Sequence, residues 1–299
     1  MDKIAPFLFP LFPAGLLLPC LVPAGPGGEP PRRLPPEPAT VKVRAQGRRL
    51  EVLEGTLFLP DYYDLRPGPV PLLLHFQGAR WLAEANFYRA RVPGVLYTSG
   101  IKGLSRAFQG PYSDPGHLQA VLDDAAAKLS GLLGGKKVEF PRIGITSFSA
   151  GYGAVREILK KKEYFDKIDY ILMADSIYAS YLSPEIRVPP VGQMVDFARF
   201  AQEAALGRKV MVVTHSHYLP ASYCGTWETA DFLLACVGGG RKKVREYSKR
   251  GIPIDFRFDR AGFHLLAADE ATAVIHADFF YMMGELLERF PPFRPPRSR

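Results

Sequence analysis

The chain has 299 residues, a formal net charge of +8, an apolar share of 47% and a charged share of 23%. That length allows one large core or two small ones, and the composition excludes wholesale disorder, a collagen-like repeat and a coiled-coil fibre. The basic excess would suit acidic partners, and Arg32, Arg33, Lys42, Arg44, Arg48 and Arg49 lie near the start with Arg289, Arg294, Arg297 and Arg299 at the end, but no zinc-finger, helix-turn-helix or RNP-type pattern accompanies them, so no specific nucleic-acid partner is expected.

Lys3, the apolar run Ile4 to Val22 and the small-residue exit Ala24-Gly25-Pro26 describe a signal peptide over residues 1–24. Asp2 runs against that layout, and Pro6, Pro10, Pro13 and Pro19 would break a membrane helix. Export, to the periplasm or the medium, is the expectation. A lipoprotein anchored at Cys20 is less favoured, because Pro19 stands beside the cysteine. No other stretch is apolar enough to span a bilayer. Without the leader only Cys224 and Cys236 remain, too few to read a disulfide framework.

Residues 25–39 are proline-rich and aperiodic, a tether. One folded domain is expected over residues 40–290, followed by a basic tail at 291–299. Val41 to Leu59 holds two candidate strands. Val70 to Phe76 (VPLLLHF) is a continuous apolar run, as a strand buried on both faces requires. Val92 to Thr98 reads as a strand, and Asp114 to Leu133 as a helix with Leu118, Val121, Leu122, Ala125 and Leu129 on one side. Then come a strand at Arg142 to Phe148, a helix at Ala150 to Lys162, a strand at Ile168 to Ala174 and a helix at Val191 to Leu206. A strand at Lys209 to Thr214, a helix at Gly225 to Val237, a last strand at Ile252 to Phe258 and a last helix at Asp269 to Phe290 complete the chain. Strands separated by helices of this length call for a mostly parallel central sheet with helices on both faces.

The sharpest motif is Ser147-Phe148-Ser149-Ala150-Gly151, set between a strand and a helix. This is the context of a nucleophile elbow, where the turn is crowded and needs small neighbours; Ala150, Gly151 and Gly153 supply them. Ser149 is the candidate nucleophile. A serine needs a base, and a histidine base needs a carboxylate to orient it. By chain order His276 is the preferred base and His264 the runner-up. The strand ending at Thr214 has no carboxylate at its tip, so Asp175, at the end of the preceding strand, is the preferred acid over Glu228, Asp259 and Asp269. The oxyanion donors are expected from the backbone of Ala150 and of Gly78 or Ala79, the loop after VPLLLHF. Possible pocket residues are His75, Gln77, Trp81, Tyr178, His215, His217 and His264, with Ser105, Phe108, Tyr112, Tyr181, Tyr218, Asn86 and Arg89 nearby in sequence. His215 and His217 form an H-x-H pair that could join His264 and Asp175 around a metal, but no Cys-x-x-Cys or H-E-x-x-H motif accompanies them, so neither metal nor cofactor is expected.

With HFQGA at 75–79, SFSAG at 147–151, LMADS at 172–176 and AVIHAD at 273–278, the chain resembles the α/β-hydrolase superfamily over nearly all of residues 40–290. It also looks similar to a group of little-characterised bacterial hydrolases with the paired arrangement seen here as Phe263-His264 and His276. That resemblance implies the α/β-hydrolase fold and supports His276 as base and Asp175 as acid. The function expected is a serine esterase acting through an acyl-enzyme on a small-molecule, glycan or polymer ester. The alternatives are a serine peptidase or amidase, and a non-catalytic binding protein on the same scaffold; the fold itself does not choose.

Overall fold

The computed structural model describes residues 45–293; the leader, the tether and the tail from residue 294 lie outside the described residues. In chain order the elements are β1 (Gly47–Val52), β2 (Gly55–Pro60), β3 (Gly68–Pro69), β4 (Leu72–Phe76), α1 (Arg80–Arg89), β5 (Val95–Ser99), α2 (Ser105–Ser113) and α3 (His117–Leu132). They continue with β6 (Val138–Glu139), β7 (Ile143–Phe148), a 3-10 turn at Ser149–Gly151, α4 (Tyr152–Leu159), α5 (Lys162–Lys167), β8 (Ile168–Ala174) and α6 (Val191–Ala205). The last are β9 (Val210–His215), α7 (Thr226–Cys236), β10 (Lys242–Tyr247), β11 (Pro253–Arg260), β12 (Phe263–Ala267) and α8 (Ala273–Arg289).

Ten strands form one sheet in the order β1-β2-β5-β4-β7-β8-β9-β12-β11-β10. The middle of it, from β5 to β12, is parallel throughout, and both edges are antiparallel. β3 and β6 make a separate short parallel pair. The central strands are mostly apolar and buried because both faces are covered: every residue of β4 is buried, as are all of β8 but Asp169. One face packs against α2, α3, α4, α6 and α7, through residues such as Phe108, Val121, Val155, Phe197 and Leu233. The other packs against α1 and α8, through Leu82, Phe87, Phe279, Met282 and Met283. This strand order, with helices on both faces, is the α/β-hydrolase fold.

Several elements differ from the sequence reading. α1 was not expected: its ten residues show no apolar stripe, and it buries Glu84 and Asn86 along with its apolar side chains. Glu84 is held by Arg49 at 2.7 Å, and Asn86 donates to the Phe280 carbonyl at 2.8 Å, so tertiary partners replace the missing pattern. α2 contains Gly110 and Pro111, which disguise it. The helix expected over Ala150 to Lys162 is a 3-10 turn followed by α4, which stops at Leu159 before α5 begins. The strand at Ile252 to Phe258 is not the last. β11 turns through Ala261, at φ 49°, into β12, and it is β12 that rejoins the parallel sheet beside β9.

Candidate active site

Strand register brings the site together. Phe76 of β4 pairs with Ser147 of β7, and Phe148 of β7 pairs with Ala174 of β8. Gln77, Ser149 and Asp175 therefore leave three adjacent strands at the same edge. All three are non-glycine residues in left-handed backbone, at φ 70°, 47° and 41°, and Ile177 follows at φ 146°. Each such residue costs about 1–3 kcal/mol and persists only where its surroundings enforce it. Around Ser149 that enforcement is close packing. A side chain at Gly151 would meet the Phe76 carbonyl at 2.4 Å, and one at Gly153 would meet the Ser105 carbonyl at 2.2 Å. The small residues of SFSAG-x-G thus let α4 start tight against β4 and α2.

Asp175 is buried, 1% exposed, and four donors converge on it. Oδ1 accepts from the Ser216 N–H at 2.9 Å and from the Thr226 hydroxyl; Oδ2 accepts from the Ser216 hydroxyl at 2.9 Å and from His276 Nδ1 at 2.7 Å. Burial pushes the Asp175 carboxyl up, but His276, by hydrogen bond and by charge, and then Thr226 and Ser216 more than offset it and hold the group below the usual carboxylate range. His276 sits in the first turn of α8, where the Thr272 hydroxyl caps the helix by accepting from the Ile275 N–H at 3.3 Å.

Ser149, Asp175 and His276 line one cavity of about 720 Å³. Ala150 lines it too, as do Leu104 and the tyrosines Tyr152, Tyr178, Tyr218 and Tyr223. Tyr178 is half-buried; desolvation first, and then the charge of Asp175, push its phenol well up. Beside the cavity, the stretch after β8 is tied to the stretch after β9 by the Ala179–Cys224 bridge and by the Tyr181 hydroxyl, which donates to the Pro220 carbonyl at 2.7 Å. These two stretches expose Leu182, Ile186, Val188, Tyr218, Leu219 and Tyr223. The surroundings of the cavity are apolar and aromatic.

The remaining expected residues fall in several places. Gly78 and Ala79 follow Gln77 at the end of β4 but do not line the cavity; a side chain at Gly78 would meet the Phe280 ring at 2.4 Å. His75 is buried within β4, donating or accepting at Thr146 Oγ1 at 2.8 Å, and Trp81 packs against Tyr281. His215 is buried and binds Arg241 Nε at 3.1 Å, while Arg241 stacks on Trp227 with 4.0 Å to the ring centroid. His217 also stacks on Trp227 and meets Asp269 Oδ1 at 2.6 Å. His264 lies near the start of β12, three strand positions before the edge that carries Ser149, and is held by Asp259 Oδ1 at 2.6 Å. His215, His217 and His264 hydrogen-bond to separate partners, although His215 and His217 both pack on Trp227. Among the described residues, no group of three or more His, Cys, Asp or Glu side chains is placed to hold a metal ion. Ser105 lines the cavity; Phe108 and Tyr112 belong to the core. Glu228 accepts from the Gly225 N–H at 2.7 Å and caps α7. Cys224 and Cys236 stand free, and no described helix is long and apolar enough to cross a membrane.

Sequence reasoning missed Ser216 and Thr226 as partners of Asp175. They reach it across 41 and 51 residues, and no local pattern marks them. It also missed Leu104, Tyr152 and Tyr223 as lining residues.

No family model matches the chain, and no curated protein sequence matches it. Among solved structures it is similar to a thermostable esterase from Pseudomonas putida, at 12% identity over 86% of this chain and 87% of that one, with a TM-score of 0.39. It is also similar to the ferric enterobactin esterase of Salmonella typhimurium, at 10% identity over 81% of this chain and 58% of that one, with a TM-score of 0.46. A third is an S-formylglutathione hydrolase from Agrobacterium tumefaciens, at 11% identity over 81% and 97% of the two chains, with a TM-score of 0.36. At these identities the likeness concerns the fold alone.

Proposed function

We propose that the protein is a serine hydrolase that cleaves carboxylic esters through an acyl-enzyme on Ser149. The observation that carries this reading is the 2.7 Å hydrogen bond from His276 Nδ1 to Asp175, in the same cavity as a serine held at φ 47° between strand and helix. With Nδ1 committed to the carboxylate, Nε2 of His276 is the nitrogen left to take a proton. In the proposed reaction His276 takes the Ser149 proton as Oγ attacks the ester carbonyl. Asp175, kept ionised by its four donors, stabilises the imidazolium. The Ala150 N–H, which borders the cavity, would hold the oxyanion; Gly78 and Ala79, expected as the second donor, lie outside that cavity's lining. His276 then protonates the departing alcohol, and a water activated the same way releases the acid and free Ser149.

The apolar and aromatic cavity suits an ester with an apolar acyl or alcohol group. An alcohol also leaves more readily than an amine, which favours ester over amide. The leader-like residues 1–24 add the reading of an exported enzyme.

A fluorophosphonate probe tests the nucleophile without knowledge of the substrate. It is expected to modify the protein at Ser149, to leave Ser149→Ala unmodified and to react at least about 100-fold more slowly with His276→Ala. Equal modification of wild type and Ser149→Ala would remove Ser149 from the mechanism.

A further inference from the structure

Three aromatic contacts run from the buried interior to the proposed base. The imidazole of His276 lies on the ring of Phe148, with centroids 4.7 Å apart and planes at 32°. Phe148 stacks in turn on Phe280, at 4.8 Å and 13°, and Phe280 on His75, at 5.3 Å and 11°. The column is anchored at several points. His276 and Phe280 are four residues apart on α8 and so share one face of that helix. The Phe280 carbonyl is held by Asn86 of α1, His75 is tied to Thr146 of β7, and Gly78 abuts the Phe280 ring with no room for a side chain. Phe148 is the residue immediately before Ser149 and does not line the cavity.

The hydrogen bond to Asp175 fixes one atom of the imidazole but leaves the ring free to rotate about that contact. A flat partner against its face removes this freedom. The face of a phenyl ring also carries negative quadrupole density, so it favours a cation within about 6 Å of its centre. The imidazole is neutral before attack on the ester and cationic once it has taken the Ser149 proton. A ring at this distance therefore stabilises the charged form more than the neutral one, and it does so at the step where the charge develops.

We propose that Phe148 is a positioning residue for His276: its ring holds the plane of the imidazole and stabilises the imidazolium, with Phe280 and His75 stacked behind it as support. This rests on the reading of His276 as the base. The charged group facing the imidazole is Asp175, from the end of β8. The other titratable groups around the same cavity are the phenols of Tyr152, Tyr178, Tyr218 and Tyr223. All of these are retained when Phe148 alone is changed.

The test compares wild type, Phe148→Leu and Phe148→Tyr. Leucine keeps apolar bulk but has no ring face; tyrosine keeps the face. In Phe148→Leu, kcat on a p-nitrophenyl ester is expected to fall about 5- to 30-fold, with KM within about twofold of wild type. The acid limb of its kcat profile is expected to move to lower pH by about half a unit to one unit, because the protonated imidazole has lost its partner. Phe148→Tyr is expected to restore both. The same displacement is expected when the His276 ring protons are titrated by NMR in Ser149→Ala and in Ser149→Ala/Phe148→Leu, a readout that needs no turnover. An unmoved His276 titration in the leucine variant would overturn the proposal. So would an equal loss of kcat in the tyrosine variant, which would mark Phe148 as packing alone. Failure of the probe to modify Ser149 would instead strike the hydrolase reading, and the NMR titration would still decide the ring contact.

Discussion

Asp175→Asn is expected to lower kcat/KM about 10³- to 10⁴-fold while leaving the fold intact. The change is isosteric, but it alters what His276 can do. The carboxylate accepts from His276 Nδ1, which leaves Nε2 as the proposed acceptor for the serine proton. An amide in the same place can present its NH₂ group to Nδ1 and select the wrong tautomer. It also removes the charge that stabilises the imidazolium, and it leaves the amide with too few lone pairs for the donors from Ser216 and Thr226. Circular dichroism and thermal unfolding would verify that the protein still folds; steady-state kinetics would read the loss. A variant within tenfold of wild type would show that Asp175 does not orient the base.

The second large effect concerns stability against acid. His75 is fully buried, and burial lowers its pKa to about 4; a hydrogen bond to the Gln77 backbone opposes this only in part. His215 is lowered to about 3, by burial first and then by the charge of Arg241. Both are neutral in the folded protein well below the pH at which an unfolded histidine, near 6.5, takes up a proton. The sign follows directly. Above about pH 6.5 folded and unfolded chains bind the same protons at these sites. Below it the unfolded chain binds up to two more, so stability falls as the pH drops toward about 4. His75 alone accounts for about 3 kcal/mol of that loss. Asp175, whose pKa is depressed in the fold, adds a further loss at lower pH as its carboxylate is protonated. Urea unfolding at a series of pH values from 7.5 to about 4 would measure the slope. His75→Leu is expected to remove about one proton from it. A stability independent of pH over that range would contradict the buried, neutral state of both histidines.

The fold was legible where local pattern and tertiary role agree. VPLLLHF reads as a strand because β4 is covered on both faces, and the bounds expected for β8, Ile168 to Ala174, are those observed. The stripe Leu118, Val121, Leu122, Ala125 and Leu129 marks α3 because that helix buries one side only. Legibility failed where polar residues are buried or apolar ones are few. α1 hides Glu84 and Asn86 behind partners that sequence does not reveal. β10, with the sequence KKVREY, lies at the sheet edge with no buried residue, so it carries no apolar signal.

The site divides the same way. Ser149 announces itself because its requirements are local: a strand before it, small residues after it and a sharp turn between. Asp175 could be placed by chain order, as a carboxylate at the tip of a strand next to β7. Its union with His276 spans 101 residues and depends on β12, a strand the sequence did not disclose. The donors from Ser216 and Thr226, and the Phe148–Phe280 column, depend on the meeting of strand ends and helix faces. Such contacts leave no periodic trace in one sequence.

The central claim, acyl transfer through Ser149, is tested most directly by hydrolysis of a graded series of p-nitrophenyl esters by purified wild type and Ser149→Ala. The account predicts turnover by the wild type and a loss of at least about 10³-fold in the variant across the series. Equal turnover by the two proteins would contradict it.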